Sequence, residues 1–318
     1  MPNRRRRRAT RPSAILAWAA LAGAALLAAG CTSSSAAGQP GADGRIIAVG
    51  AENEYADVIA QVGGKYVQAS AIMSNPNTDP HTFEASASTG RLVNAARLVV
   101  QNGLGYDTFM DTIEKAVPDS GRRVIVVQKL LGLPDSTPNP HLWYDPATMP
   151  KVADAIAANL AAIQPSHAAY FKANAKTFTN SLSAWIKAIG TFKQHHPGTP
   201  VATTEPVADY LLQALGADNK TPWAFQADVM NGTDPSAQDV AIERNLFTEH
   251  KVKAFVYNQQ VTDSLTESFI SLARENHIPV VGVYETMPEP GYHYQSWMLA
   301  EVRALHNAVA SHVSSEHL

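Results

Sequence analysis

The chain has 318 residues, 25 Lys and Arg against 28 Asp and Glu, and a single cysteine. Six of the basic residues are arginines within the first eleven positions, so the rest of the chain carries 19 basic against 28 acidic residues. That balance leaves no basic footprint for nucleic acid, one cysteine excludes an intramolecular disulfide framework, and the length beyond a leader suffices for two lobes with cores of their own.

Residues 1–30 open with Arg4, Arg5, Arg6, Arg7, Arg8 and Arg11, continue with an uncharged Ala/Leu-rich run, and end in Ala28-Ala29-Gly30. A basic start, an apolar middle and a small-residue end predict a secretory signal, to be set aside from the fold. A retained membrane helix is the alternative; the run is barely long enough to span a bilayer. Cys31 follows directly. As a structural thiol it would have no disulfide partner; after Gly30 it resembles a bacterial lipoprotein acylation site. Residues 31–44 are rich in Ser, Ala and Gly and read as a flexible tether. The expectation is an exported chain held to a membrane face by a lipid anchor.

Residues 45–146 are predicted as a first lobe. Strand patterns occur at 46–49, 66–73, 98–101 and 122–127, alternating with helical patterns at 54–62, 86–96 and 106–116. This alternation implies an α/β fold with a mostly parallel sheet and helices on its faces. Gly103-Leu104-Gly105 is too short for either nucleotide-binding fingerprint.

Residues 147–197 read as helical. One helix is expected over 146–163 and a longer one over 165–195, where Phe171, Ala175, Phe178, Leu182, Trp185 and Ile189 keep a helical period. Thirty residues of helix span about 45 Å, more than one lobe needs. A stiff rod between two lobes accounts for that length; a core helix that runs long is the plainer alternative. His195-His196 at its end is read as a solvated terminus rather than a ligand pair.

Residues 198–318 are predicted as a second α/β lobe. Its strands are expected at 200–204, 252–257 and 279–284, and its helices at 207–215, 234–250, 263–276 and 294–312. Glu205 falls between a strand and a helix, where an acidic cap is the simple reading. Glu285 follows a strand directly. Asp228, Asp234 and Glu289 sit in loops and are read as solvated.

Four residues then share a position. His81 (in Asp79-Pro80-His81), Glu205 and Glu285 lie just beyond strand ends, and His141, between Pro140 and Leu142-Trp143, lies in the loop after the first lobe's last strand. Ligands of open α/β sheets bind at that edge. Each of these residues alone has an ordinary structural reading. Together, two imidazoles and two carboxylates offer nitrogen and oxygen donors and neutralise a divalent cation. The spacing between His81 and His141 matches no short metal motif.

Several segments carry a family resemblance: Asp79-Pro80-His81-Thr82-Phe83-Glu84, Asn102-Gly103-Leu104-Gly105-Tyr106, Asn139-Pro140-His141-Leu142-Trp143-Tyr144-Asp145-Pro146, the strand ending at Glu205, and Val280-Val281-Gly282-Val283-Tyr284-Glu285-Thr286. From about Ile46 to its end the chain resembles the zinc/manganese solute-binding lipoproteins of bacterial ABC importers. The resemblance implies two α/β lobes joined by one long helix, with a single ion, Zn²⁺ or Mn²⁺, carried as cargo in the cleft. It implies His81 and His141 as imidazole ligands. Glu205 falls where relatives carry His or Glu, and Glu285 where many carry Asp. The implied partners are the importer's permease and the membrane, the latter through a lipid anchor at Cys31, and a monomer without enzymatic activity is expected. The competing reading is a secreted metal-dependent hydrolase using the same ligands, with one carboxylate as general base.

Overall fold

The computed structural model describes residues 44–76, 83–84, 86–288 and 291–318; Cys31, His81 and Glu289 lie outside them. Two four-stranded sheets organise the chain, and every strand pairing in them is parallel. The first has the order β2-β1-β3-β4, from β1 (Ile46–Glu52), β2 (Val67–Met73), β3 (Leu98–Gln101) and β4 (Arg123–Val126). The second repeats it as β6-β5-β7-β8, from β5 (Pro200–Thr203), β6 (Asp218–Asn219), β7 (Ala254–Asn258) and β8 (Val280–Val283). Parallel strands need crossovers, and the intervening helices supply them: α1 (Asn53–Gly63), α2 (Ala87–Ala95) and α3 (Thr108–Ala116) around the first sheet. Around the second lie α8 (Asp209–Leu215), α9 (Trp223–Met230), α10 (Ala237–Thr248) and α11 (Ser264–Glu275).

The strand and helix starts follow local chemistry. Leu98, Val99 and Val100 of β3 are fully buried, as a strand covered on both faces requires. Ser86 caps α2 by accepting the Thr89 N–H, and Asp263 caps α11 by accepting the Thr266 N–H at 2.8 Å. The C-terminal segment adds to the second sheet beyond β8: the Gly282 N–H donates to Ser315 O, and the Ser315 N–H to Val280 O. A side chain at Gly282 would meet the Glu316 carbonyl, so this docking requires glycine there.

Between the sheets run α5 (Thr148–Ile163), α6 (Ala168–Ser181) and α7 (Ser183–His195). The sequence predicts one helix from 165 to 195; the run is helical, but it divides at Leu182. The Ser181 hydroxyl donates to Phe178 O at 2.6 Å, and the Leu182 N–H turns to Thr179 O. A serine hydroxyl competing for a carbonyl is a recognised cause of such a break. Three short elements escaped the sequence reading: α4 (Val127–Leu131), α9 and the two-residue β6. They are too short or too uniformly apolar for periodicity to show them.

The lobes are not separate bodies joined by a strand of chain. One buried core runs through both sheets' inner helices, and its middle is aromatic: Trp143, Tyr144, Trp185, Tyr294 and Trp297. Tyr294, at the start of α12 (Tyr294–Ser311), lies edge-on to Trp185 at 5.8 Å and donates its hydroxyl to Trp143 O at 2.6 Å. Each such ring contributes roughly 1.5–3 kcal/mol by leaving water, so wide opening about this core would be costly. A second cluster, around Phe225, Phe247, Phe255 and Phe269, belongs to the outer side of the second sheet alone.

Candidate metal centre

Both sheets change direction at the same place. β1 sends the chain outward to β2, and the next strand returns to β1's other side; β5, β6 and β7 do the same. The crevice at such a switch, beyond the strand carboxyl ends, is where open α/β sheets bind ligands. In the second lobe Thr204 and Glu205 follow β5, Asn258 ends β7, and Glu285 follows β8 by two residues.

His141 enters from the first lobe. It precedes a single 3-10 turn (Leu142–Tyr144) and is fully buried. Its ring Nδ1 and its backbone N–H both meet Asn139 Oδ1, at 2.7 and 3.0 Å. An amide oxygen only accepts, so Nδ1 carries the proton and Nε2 presents a lone pair. Nε2 faces Glu285 Oε2 at 3.3 Å. An imidazole nitrogen and a carboxyl oxygen at this distance can share a proton or a metal cation. Donors held at about 2.0–2.1 Å from a tetrahedral ion lie about 3.3 Å apart. The Asn139 amide nitrogen donates onward to Pro206 O at 2.7 Å, which ties His141's support to the residue after Glu205.

Glu285 is held from several sides. Tyr106 donates its hydroxyl to Oε2 at 2.9 Å, and Asn258 Nδ2 donates to Oε1 at 2.6 Å. The Glu285 and Thr286 N–H groups both donate to Gln260 Oε1. Two residues on, Asn53 at the start of α1 exchanges a reciprocal pair of 2.8 Å hydrogen bonds with the Met287 backbone. Burial and the neighbouring Glu285 carboxylate both raise the Tyr106 hydroxyl pKa, so it stays protonated and remains a donor.

Glu205 is 3% exposed and is joined to Glu285 through Asn258, whose Nδ2 also donates to Glu205 Oε1 at 3.2 Å. It is not a helix cap: α8 begins at Asp209, after Ala208. The loop between is shaped by Pro206 and by Thr204, whose hydroxyl accepts the Asn258 N–H at 3.0 Å.

Thus His141, Glu205 and Glu285 converge from two lobes, while His81 and Cys31 lie outside the described residues. Among the described residues no three His, Cys, Asp or Glu side chains form a ready-made cage for an ion. Sequence reasoning named the charged residues and missed the amides. Asn258 stands at a strand's carboxyl end, so the rule that found Glu285 could have found it. Asn139 and Tyr106 were visible only as members of motifs. The Asn102-to-Tyr106 segment gains a structural reason: Gly103, Leu104 and Gly105 all adopt left-handed backbone, with Leu104 held by its N–H to Gln128 Oε1. The turn aims Tyr106 at Glu285, and Asn102 Nδ2 donates to Pro140 O just before His141.

Two further acids lie at the first lobe's own switch point. Glu52 and Glu54 are fully buried, and among the described residues their four carboxyl oxygens have no well-formed hydrogen bond, only a weak approach of each residue's own backbone N–H. Burial pushes both carboxyls well above the usual range, with Asp107 adding repulsion at Glu52 and Glu285 at Glu54. A cavity of about 360 Å³ opens between the lobes beside Tyr106 and Pro140, with Trp223 and Met230 on its far wall.

Residues 49–308 match the family model described as zinc-uptake complex component A, periplasmic. The manganese-binding lipoprotein MntA of Bacillus subtilis is 24% identical over 262 residues, covering 80% of this chain and 83% of that protein. The zinc-binding protein TroA of Treponema pallidum is 21% identical over 251 residues, covering 76% and 79%. Among solved structures, the periplasmic zinc-binding protein TroA of Treponema pallidum superposes with a TM-score of 0.71 at 18% identity, over 85% of this chain and all of that one. The Mn-bound periplasmic metal-binding protein of Candidatus Liberibacter asiaticus gives 0.69 at 18% identity, over 83% and 100%.

Proposed function

The chain belongs to the family of periplasmic component A of zinc-uptake complexes, and from that premise we propose how it handles its cargo. It is the substrate-binding component of an ABC importer, capturing one Zn²⁺ or Mn²⁺ ion outside the membrane and delivering it to the permease. The proposed ligands are His81, His141, Glu205 and Glu285. The observation that carries the reading is the 3.3 Å approach of His141 Nε2 to Glu285 Oε2, with Nδ1 already committed to Asn139.

Imidazole with carboxylate suits both ions, and ligand type alone does not choose between them. The named relatives divide the same way, one manganese-binding and one zinc-binding. Capture requires no bond chemistry: neutral imidazoles and two carboxylates replace the ion's water, and protons compete for the imidazoles in acid. Release requires those donors to separate. Tyr106 and Asn53 tie Glu285's loop to the first lobe, so a permease that draws the lobes apart loosens Glu285 and His141 together. The aromatic core between the lobes keeps that movement small.

We further propose the lobe limits 45–146 and 198–318 with the helical segment 147–197 between them. Residues 1–30 are the export signal, and Cys31 anchors the monomer to lipid through the tether 31–44. The test is elemental analysis of tag-free protein beside alanine variants of the four ligands. The parent should hold one equivalent and each variant far less; variants as full as the parent would show the site to be elsewhere.

A further inference from the structure

A pair of histidines on the far side of the molecule has the makings of a second site. His196 follows α7, just before β5 begins, and His306 lies on α12. They therefore sit at the amino-terminal edge of the second sheet, opposite the strand ends that carry Glu205 and Glu285. The rings lie 5.2 Å apart, centroid to centroid, with 61° between their planes. Both are half-buried, and among the described residues neither ring has a hydrogen-bond partner. Phe192 backs them, 5.1 Å from His196 and 6.4 Å from His306, which restricts both side chains before any ligand arrives.

The spacing, though ordinary for packed rings, admits a shared ion. An ion about 2.0–2.1 Å from a coordinating imidazole nitrogen sits about 3.2 Å from the ring centre, and a tetrahedral angle then separates two ring centres by about 5.2 Å. Burial and the neighbouring His306 and His195 lower the His196 pKa, which favours the neutral, ligating form. A groove of about 340 Å³ reaches the pair on its His306 side, lined also by Phe192, Thr191 and Leu299. Lys187 and Arg303 line the same groove and weaken cation binding there.

We propose that His196 and His306 together form a low-affinity site for an imidazole-preferring transition ion such as Zn²⁺, Ni²⁺ or Cu²⁺, independent of the cargo site. With two protein ligands it is open and exchangeable, and an ion bound there links the end of α7 to α12.

The test uses tag-free full-length protein, preloaded with Zn²⁺, and Cu²⁺–iminodiacetate as the probe, read by electron paramagnetic resonance. The expected result is one equivalent of copper with a two-imidazole signature. His196→Ala and His306→Ala should each weaken its binding at least about tenfold, His195→Ala should leave it unchanged, and Zn²⁺ at the cargo site should stay constant in all three. No bound copper, a one-imidazole signature in the parent, or a two-imidazole signature that survives either substitution would overturn the proposal.

Discussion

The two sheets have one strand order, and each places glutamate just after its first strand's end or at it, and asparagine at the end of the third. In the second lobe Asn258 sends its amide to both Glu205 and Glu285. In the first lobe the corresponding Asn102 sends its amide to Pro140 O and Gly103 O and accepts from Tyr55, so it serves the loop rather than an acid. Glu52 and Glu54 are left buried with no side-chain donor among the described residues. Burial opposes charge, and only donors or cations restore it. Equivalent topology therefore yields two environments: carboxyls that burial drives toward the neutral form in one lobe, and carboxyls joined through a shared amide donor in the other. Where the amide points decides which.

The sharpest way to break this comparison is to neutralise each set in turn. Glu285→Gln should weaken Zn²⁺ binding by more than about 100-fold, beyond what loss of a supporting residue costs, and Glu205→Gln should follow it closely. Glu52→Gln and Glu54→Gln should hold the ion within a few-fold of the parent, as measured by competition against a chelator. A loss at Glu54 equal to that at Glu285 would make the first lobe's acids ligands too. Next in size is Asn258→Ala, which leaves both carboxylates in place but removes the group that spaces them; a loss of about 10–100-fold is expected. Asn102→Ala should act on stability instead.

A titration separates the two sets by sign. Burial raises the Glu52 and Glu54 carboxyls, lifts Asp107 to about 6, and lifts Glu301, beneath Trp297 and Tyr144, to about 8. A carboxyl whose folded pKa exceeds its unfolded one stabilises the fold most below the unfolded value, and that stabilisation is lost as pH rises through the folded value. The metal-free protein should therefore melt at a lower temperature at pH 8 than at pH 6, with Glu301 and Glu243, both lifted to about 8, contributing to the fall alongside Glu52 and Glu54, while Asp107's share is largely lost by pH 6. The increment in melting temperature on adding Zn²⁺ should change the other way, growing with pH as protons leave the imidazoles. Scanning calorimetry with and without Zn²⁺ checks both, and Glu301→Gln should flatten the metal-free slope.

The sequence displayed what physics makes periodic or positional. Strand runs such as Leu98–Gln101 and Val280–Val283 are short apolar stretches bounded by breakers, and they fell where expected. Glu205 and Glu285 were singled out because strand ends in such folds point at ligands, and His141 by its proline-flanked loop beyond the first lobe's last strand. Asn139, Asn258 and Asn53 stayed hidden for the opposite reason. An amide's role is set by the partner it meets across the fold, and Asn53 meets Met287, 234 positions away. The break at Leu182 was equally invisible, since Ser181 could have faced solvent as readily as Phe178 O.

Asn53 supplies the smallest effect and the finest test. It stands one residue from Glu52 and Glu54, yet it reaches across the cleft to the backbone behind Glu285. It is 4% exposed, so its two hydrogen bonds are shielded from water. Gln260 grips the same loop from within the second lobe. Two grips from different lobes mean that opening releases one and keeps the other. Asn53→Ala would remove one of the two first-lobe grips, leaving Glu285 attached to Tyr106 as well as to Gln260 and Asn258. Affinity should fall only about 10-fold, and the change should appear in the rate of ion loss to a strong chelator, with little change in uptake rate. Gln260→Ala, which frees the loop within its own lobe, should slow uptake as well. Equal effects of the two substitutions on both rates would show that the loop moves as one with the second lobe and that Asn53 is merely a structural contact.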